Sequence, residues 1–98
     1  MALNIKWTKR ASKSFHKTVI GIEEEWNEQA AKRFVNKVNN FLQILKTQPK
    51  IGKIELREKS IRGFVISRQT TVLYRIKEDA IVLLKFFNNR QNPRNKLK

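Results

Sequence analysis

The stretch Thr71-Val-Leu-Tyr-Arg-Ile-Lys-Glu-Asp-Ala-Ile-Val-Leu-Leu-Lys-Phe-Phe87 decides the fold. In its first half Val72, Tyr74 and Ile76 alternate with Leu73 and Arg75, the period of two of a strand with two distinct faces. Lys77-Glu-Asp-Ala80 supplies a polar turn. Ile81 to Phe87 is then apolar nearly throughout, which predicts a central strand covered on both faces or nearly so. Lys85 interrupts that run, and a charged residue there needs a reason. Just upstream, Ile61 to Ser67 reads as a further strand joined through Arg68-Gln69-Thr70, and Ile54-Glu-Leu-Arg57 alternates weakly.

Toward the N-terminus the period changes to that of helices. Phe34, Val38, Phe41, Leu42 and Leu45 form one apolar face, with Asn27 as N-cap and Glu28 in the first turn, where the helix dipole favours negative charge. Lys46 falls in the last turn, and Pro49 and Gly52 close the segment. Before it, Ala11, Phe15, Val19 and Ile22 recur at steps of four, four and three, a single stripe that starts after a Thr8 cap. Gly21 and Glu23-Glu24-Glu25 are expected to mark the end of this first helix. The short link predicts an antiparallel helical hairpin. Leu3, Ile5 and Trp7 alternate with Asn4 and Lys6 as a short first strand. The expected architecture is α+β: an N-terminal strand, a helical hairpin, then a three- to four-stranded antiparallel sheet with one face covered by the helices and the other partly open. A single domain over residues 1–98 is expected, with no internal repeat or linker.

The 98 residues carry 22 Lys and Arg against 8 Asp and Glu, a formal net charge of +14. About 2–8 charges keep a small domain soluble, so the surplus points to an anionic partner, either nucleic acid or an acidic protein. There is no cysteine, which excludes disulfides, thiolate catalysis and Cys-based metal sites. The N-terminal segment lacks the apolar core of a secretory leader, and no apolar stretch approaches the roughly 20 residues of a membrane span. A cytoplasmic protein is the expectation.

Acid–base chemistry is thinly represented. His16 is the only histidine and falls off the apolar stripe, where a surface position is expected. The acidic cluster Glu23, Glu24, Glu25 and Glu28 reads as a solvated turn. No Gly-rich phosphate loop appears, and neither a metal site nor a cofactor is expected. What remains is cationic. Arg62, Arg68, Arg75 and Lys85 lie in or beside the strands, and Arg90, Arg94, Lys96 and Lys98 follow the last one. Arginine offers a planar fork of donors suited to phosphate and carboxylate. Arg90, in Asn88-Asn-Arg-Gln-Asn-Pro93, is expected to be exposed just past a rigid strand.

Several of these pieces, in this order, resemble the RelE/ParE superfamily of type II toxins over nearly the whole chain. They are Ile5-Lys-Trp-Thr8, Ala11-Ser-Lys-Ser-Phe15, Leu45-Lys-Thr-Gln-Pro-Lys-Ile-Gly52, Ile61-Arg-Gly-Phe64, Val72-Leu-Tyr-Arg-Ile76, Ile81-Val-Leu-Leu84 and Asn89-Arg-Gln-Asn-Pro93. The Leu-Tyr-Arg-Ile strand and the Arg-Gln-Asn-Pro ending are most similar to the ParE-like, plasmid-stabilisation branch. The resemblance implies a growth-inhibiting toxin neutralised by an acidic antitoxin in a hetero-oligomer. ParE-type members block DNA gyrase, and RelE-type members cut mRNA in the ribosome.

For a gyrase inhibitor, Arg62, Arg68, Arg75, Lys85, Arg90 and Arg94 are the candidate target-binding residues. For an endoribonuclease, Arg62, Arg68, Lys85, Arg90 and Lys96 are the candidate catalytic set, Arg90 standing where the family's arginine after the last strand belongs. The chain departs from the ribonuclease pattern in its tyrosine. Tyr74, its only one, sits in a core-like strand rather than near the C-terminus, and arginine, being always protonated, is a poor general base. The gyrase-directed reading therefore comes first and the ribosome-dependent endonuclease second. A basic nucleic-acid-binding module without toxicity is third, because the aromatics read as core rather than as a stacking platform.

Overall fold

The computed structural model describes residues 3–88. Strand β1 (Asn4–Trp7) leads into helix α1 (Lys9–Glu25), which a two-residue turn joins to helix α2 (Glu28–Thr47). Four strands follow: β2 (Lys53–Leu56), β3 (Ile61–Ser67), β4 (Thr70–Lys77) and β5 (Ala80–Asn88). They form one sheet in the order β1-β5-β4-β3-β2. The pairs β2–β3, β3–β4 and β4–β5 are antiparallel, as the alternation predicts. The N-terminal strand adds a fifth, parallel to β5, with Ile5 opposite Ile81 and Trp7 opposite Leu83. The sheet is therefore mixed, and β5 is central between β1 and β4, but the helices cover only one of its faces, and Val82 and Lys85 on the other are half-buried rather than covered.

Both helices begin where the sequence places their caps. The Thr8 hydroxyl accepts from Ala11 N–H, and the Asn27 side chain accepts from Ala30 N–H. The end of α1 falls in the glutamate run, as expected, but not at Gly21. Gly21 stays inside the helix and the glutamates extend it, until Trp26 N–H closes it on Ile22 C=O. Glycine disfavours helix by only about 1 kcal/mol, and Ile22 packs against the core beyond it.

The hairpin covers one sheet face. Phe34, Val38, Phe41 and Leu45 meet Val72, Tyr74, Ile81, Leu83 and Phe86 in a single buried cluster. Aromatic contacts tie the layers together: Phe41 of α2 stacks on Phe64 at 4.4 Å between centroids, and Phe15 of α1 lies 5.2 Å from Phe86.

Candidate target-binding face

Strict alternation along β5 would turn Ile81, Leu83, Lys85 and Phe87 to the same side. The register breaks this pattern. Tyr74 pairs with Leu83 but Leu73 pairs with Lys85, so Leu84 is the extra residue of a β-bulge. Past the bulge Phe86 enters the helix-side core, and Lys85 and Phe87 turn to the other face. The start of α1 fixes this geometry. The Thr8 hydroxyl lies 2.8 Å from Leu83 C=O and 3.3 Å from Leu84 C=O, and Phe86 N–H donates to Ser14 Oγ at 2.9 Å. The lysine in the apolar run thus owes its place to a local kink.

The face turned away from the helices is partly open. Thr71, Leu73 and Phe87 are buried on it, Val65 and Lys6 are exposed, and Arg75 and Lys85 are half-buried. Arg75 pairs with Val82 on β5, which pairs in turn with Lys6 on β1. Lys85 stands diagonally from Arg75, with Nζ 5.7 Å from the Phe87 ring centroid. Lys85 also borders a groove of about 460 Å³ between α1 and the end of β5. Arg75 Nε is buried and has no hydrogen-bond partner among the described residues. An incoming carboxylate or phosphate would meet the positive charge of the half-buried Arg75 together with that of Lys85 and Lys6.

The other candidates do not join them. Arg62 pairs with Tyr74 and so lies on the helix side. Its guanidinium donates to Gly52 C=O at 2.8 Å and to Lys50 C=O at 3.3 Å. These bonds help to hold the segment after α2. Arg68 is exposed in the β3–β4 turn. Arg90, Arg94, Lys96 and Lys98 lie outside the described residues. Lys6 was legible as a member of this face, because Leu3, Ile5 and Trp7 alternate around it, but it drew no attention beside the strand arginines.

Tyr74 is fully buried. Its hydroxyl donates to Pro49 C=O and accepts from Gly52 N–H, both at 2.8 Å. Burial pushes its pKa above the ordinary tyrosine value, outweighing the Gly52 hydrogen bond and the nearby Arg62 charge, which both lower it. A protonated, enclosed phenol cannot take a proton from a substrate. His16 is exposed on α1. Among the described residues no three His, Asp or Glu side chains converge as metal ligands, and no helix is long and apolar enough to cross a membrane.

A family model, the ParE toxin of the type II toxin–antitoxin system parDE, matches residues 5–93. No curated protein matches the chain in sequence. Among solved structures, a chain of the chromosomal ParDE system from P. aeruginosa superposes with a TM-score of 0.73 at 16% identity, over 89% of this chain and 96% of that one. A chain of the RelBE2 complex from Mycobacterium tuberculosis gives 0.63 at 19% identity, over 91% of this chain and 100% of that one. The YoeB dimer from Staphylococcus aureus gives 0.65 at 16% identity, over 91% of this chain and 99% of that one. At these identities the superpositions establish the shared fold.

Proposed function

The chain belongs to the ParE toxin family of type II toxin–antitoxin systems, and from that premise we propose that it arrests growth by binding DNA gyrase, without catalysing a reaction, and is neutralised by an acidic antitoxin. The observation that carries the reading is a half-buried arginine beside Lys85 on the open sheet face, with the tyrosine among the described residues enclosed in the fold. Arg75 stands half-buried beside Lys85, whereas Tyr74 is enclosed and Arg62 donates to backbone carbonyls. Phosphodiester cleavage by RNA's own 2′-hydroxyl needs a group to accept its proton. The face supplies donors and charge, which suit tight, reversible engagement of an acidic surface.

The test is a supercoiling assay with purified gyrase and purified toxin, run beside primer extension on mRNA after induced expression. Loss of supercoiling with intact transcripts is expected, with activity restored when the antitoxin is added. New mRNA ends with supercoiling untouched would replace this reading with the ribosome-dependent endonuclease.

A further inference from the structure

A hollow of about 240 Å³ opens where the tip of the helical hairpin meets the β3–β4 turn. Ile22, Trp26, Ala30 and Phe34 supply its apolar lining. Phe34 is buried, but Trp26 is 61% exposed, high for the largest apolar side chain. Among the described residues the only charged ones lining it are Arg33 and Lys37, one turn apart on α2. The groove beside β5 differs, because there Glu24 and Glu25 accompany Lys17 and Lys85. An apolar hollow with a purely cationic rim complements one chemistry: a large apolar side chain flanked by carboxylates. Nucleic acid would use the rim but would leave a pocket floored by Phe34 unfilled.

We propose that this hollow anchors the antitoxin. An acidic amphipathic segment inserts one Leu- or Phe-sized side chain between Trp26 and Phe34 and sets carboxylates one helical turn apart against Arg33 and Lys37. The proposal rests on the toxin–antitoxin reading for the existence of the partner, but not on gyrase as target. Its consequence is spatial separation. The hollow lies on the helix side of the sheet and Arg75 on the other, so neutralisation and toxicity are separable by mutation.

The experiment titrates the antitoxin encoded beside the toxin gene against purified full-length toxin and its variants. These are Trp26→Ala, the double reversal Arg33→Glu/Lys37→Glu, and a charge-matched control, Arg57→Glu/Lys59→Glu, in the exposed turn after β2. Both test variants should lose about 30-fold or more in affinity, the loss expected of an anchor, while the control stays within about threefold. In cells Trp26→Ala should still arrest growth and should no longer be rescued. In a Trp7→Phe background, Trp26 emission should shift to shorter wavelength on binding. Antitoxin affinities of both test variants within about threefold of wild type, or an unmoved Trp26 emission, would overturn the proposal alone. If binding to a single-stranded oligonucleotide is lost instead, the hollow belongs to nucleic acid. A wild-type toxin that neither arrests growth nor binds the antitoxin removes the toxin–antitoxin reading, and this proposal with it.

Discussion

At Arg75, stability and binding make opposite demands on one side chain. Its side chain is half-buried, so part of the guanidinium is out of solvent while its charge stands on the open sheet face. Arg75→Met keeps the packing of the stem and removes the half-buried charge and its donors. The variant should melt at or slightly above the wild-type temperature, within about 1 kcal/mol, yet fail to arrest growth. Thermal unfolding together with induced expression checks both halves, and a variant that is equally toxic would take Arg75 out of the target face. Tyr74 obeys a different logic, because both lone-pair and proton are used inside the fold. Tyr74→Phe leaves Pro49 C=O and Gly52 N–H unpaired in a buried place, at about 1–3 kcal/mol near neutral pH. Since burial raises the folded phenol's pKa, the folded state holds its proton where the unfolded chain has begun to release it. The wild-type contribution is therefore full below about pH 10 and declines as pH rises beyond that value. Denaturant melts of the two proteins should converge above pH 10, and a gap that widens instead would contradict the assigned direction.

Among the elements, α1 shows what local pattern conveys and what it cannot. Its start was readable because a threonine cap and a stripe of Ala11, Phe15 and Val19 are local facts. Its end falls at Glu25, inside the glutamate run, but Gly21 is no terminator, because Ile22 packs against the core beyond it. A Cβ at Gly21 meets nothing within 4 Å. Gly21→Ala should therefore stabilise by about 0.5–1 kcal/mol, a rise of a few degrees in Tm, measurable by calorimetry. At Gly52 an added Cβ would lie 2.6 Å from the Tyr74 hydroxyl and 3.0 Å from Gly63 C=O, so alanine there should lower Tm by more than Gly21→Ala raises it. The strands divide in the same way. Alternation exposed β3 and β4 and placed Arg75 opposite Tyr74 and Ile76. The parallel pairing of β1 with β5 depends on contacts some 75 residues apart, and no period encodes that. The bulge at Leu84 was hidden for a related reason: a run apolar on both faces carries no alternation to break, so the direction of Lys85 had to come from the register. Arg62 was legible as a strand residue, but its commitment to Gly52 and Lys50 was not.

For the whole molecule the deciding quantity is the +14 net charge of the chain, of which four charges are Arg90, Arg94, Lys96 and Lys98 and the remaining ten lie on the described residues, a body of 38 × 31 × 22 Å. At about 0.01 M salt the screening length is roughly 30 Å, comparable to the molecule, so like charges repel across its full width. At about 0.15 M it shrinks to roughly 8 Å and only neighbours interact. Local attraction offers little offset where it is visible: Lys32 and Glu28 pair at 3.6 Å with both side chains over 70% exposed. Tm should therefore rise by several degrees between these two salt concentrations in a fluorescence melt, most steeply at the low end. Binding to an acidic partner should move the other way over the same range, because screening weakens long-range attraction between unlike charges as it does repulsion between like ones. A protein that becomes more stable as its grip loosens is one whose surplus charge was arranged for a companion. A Tm that fell with added salt would mean that favourable pairs dominate the surface, and the case for an anionic partner would lose its electrostatic basis.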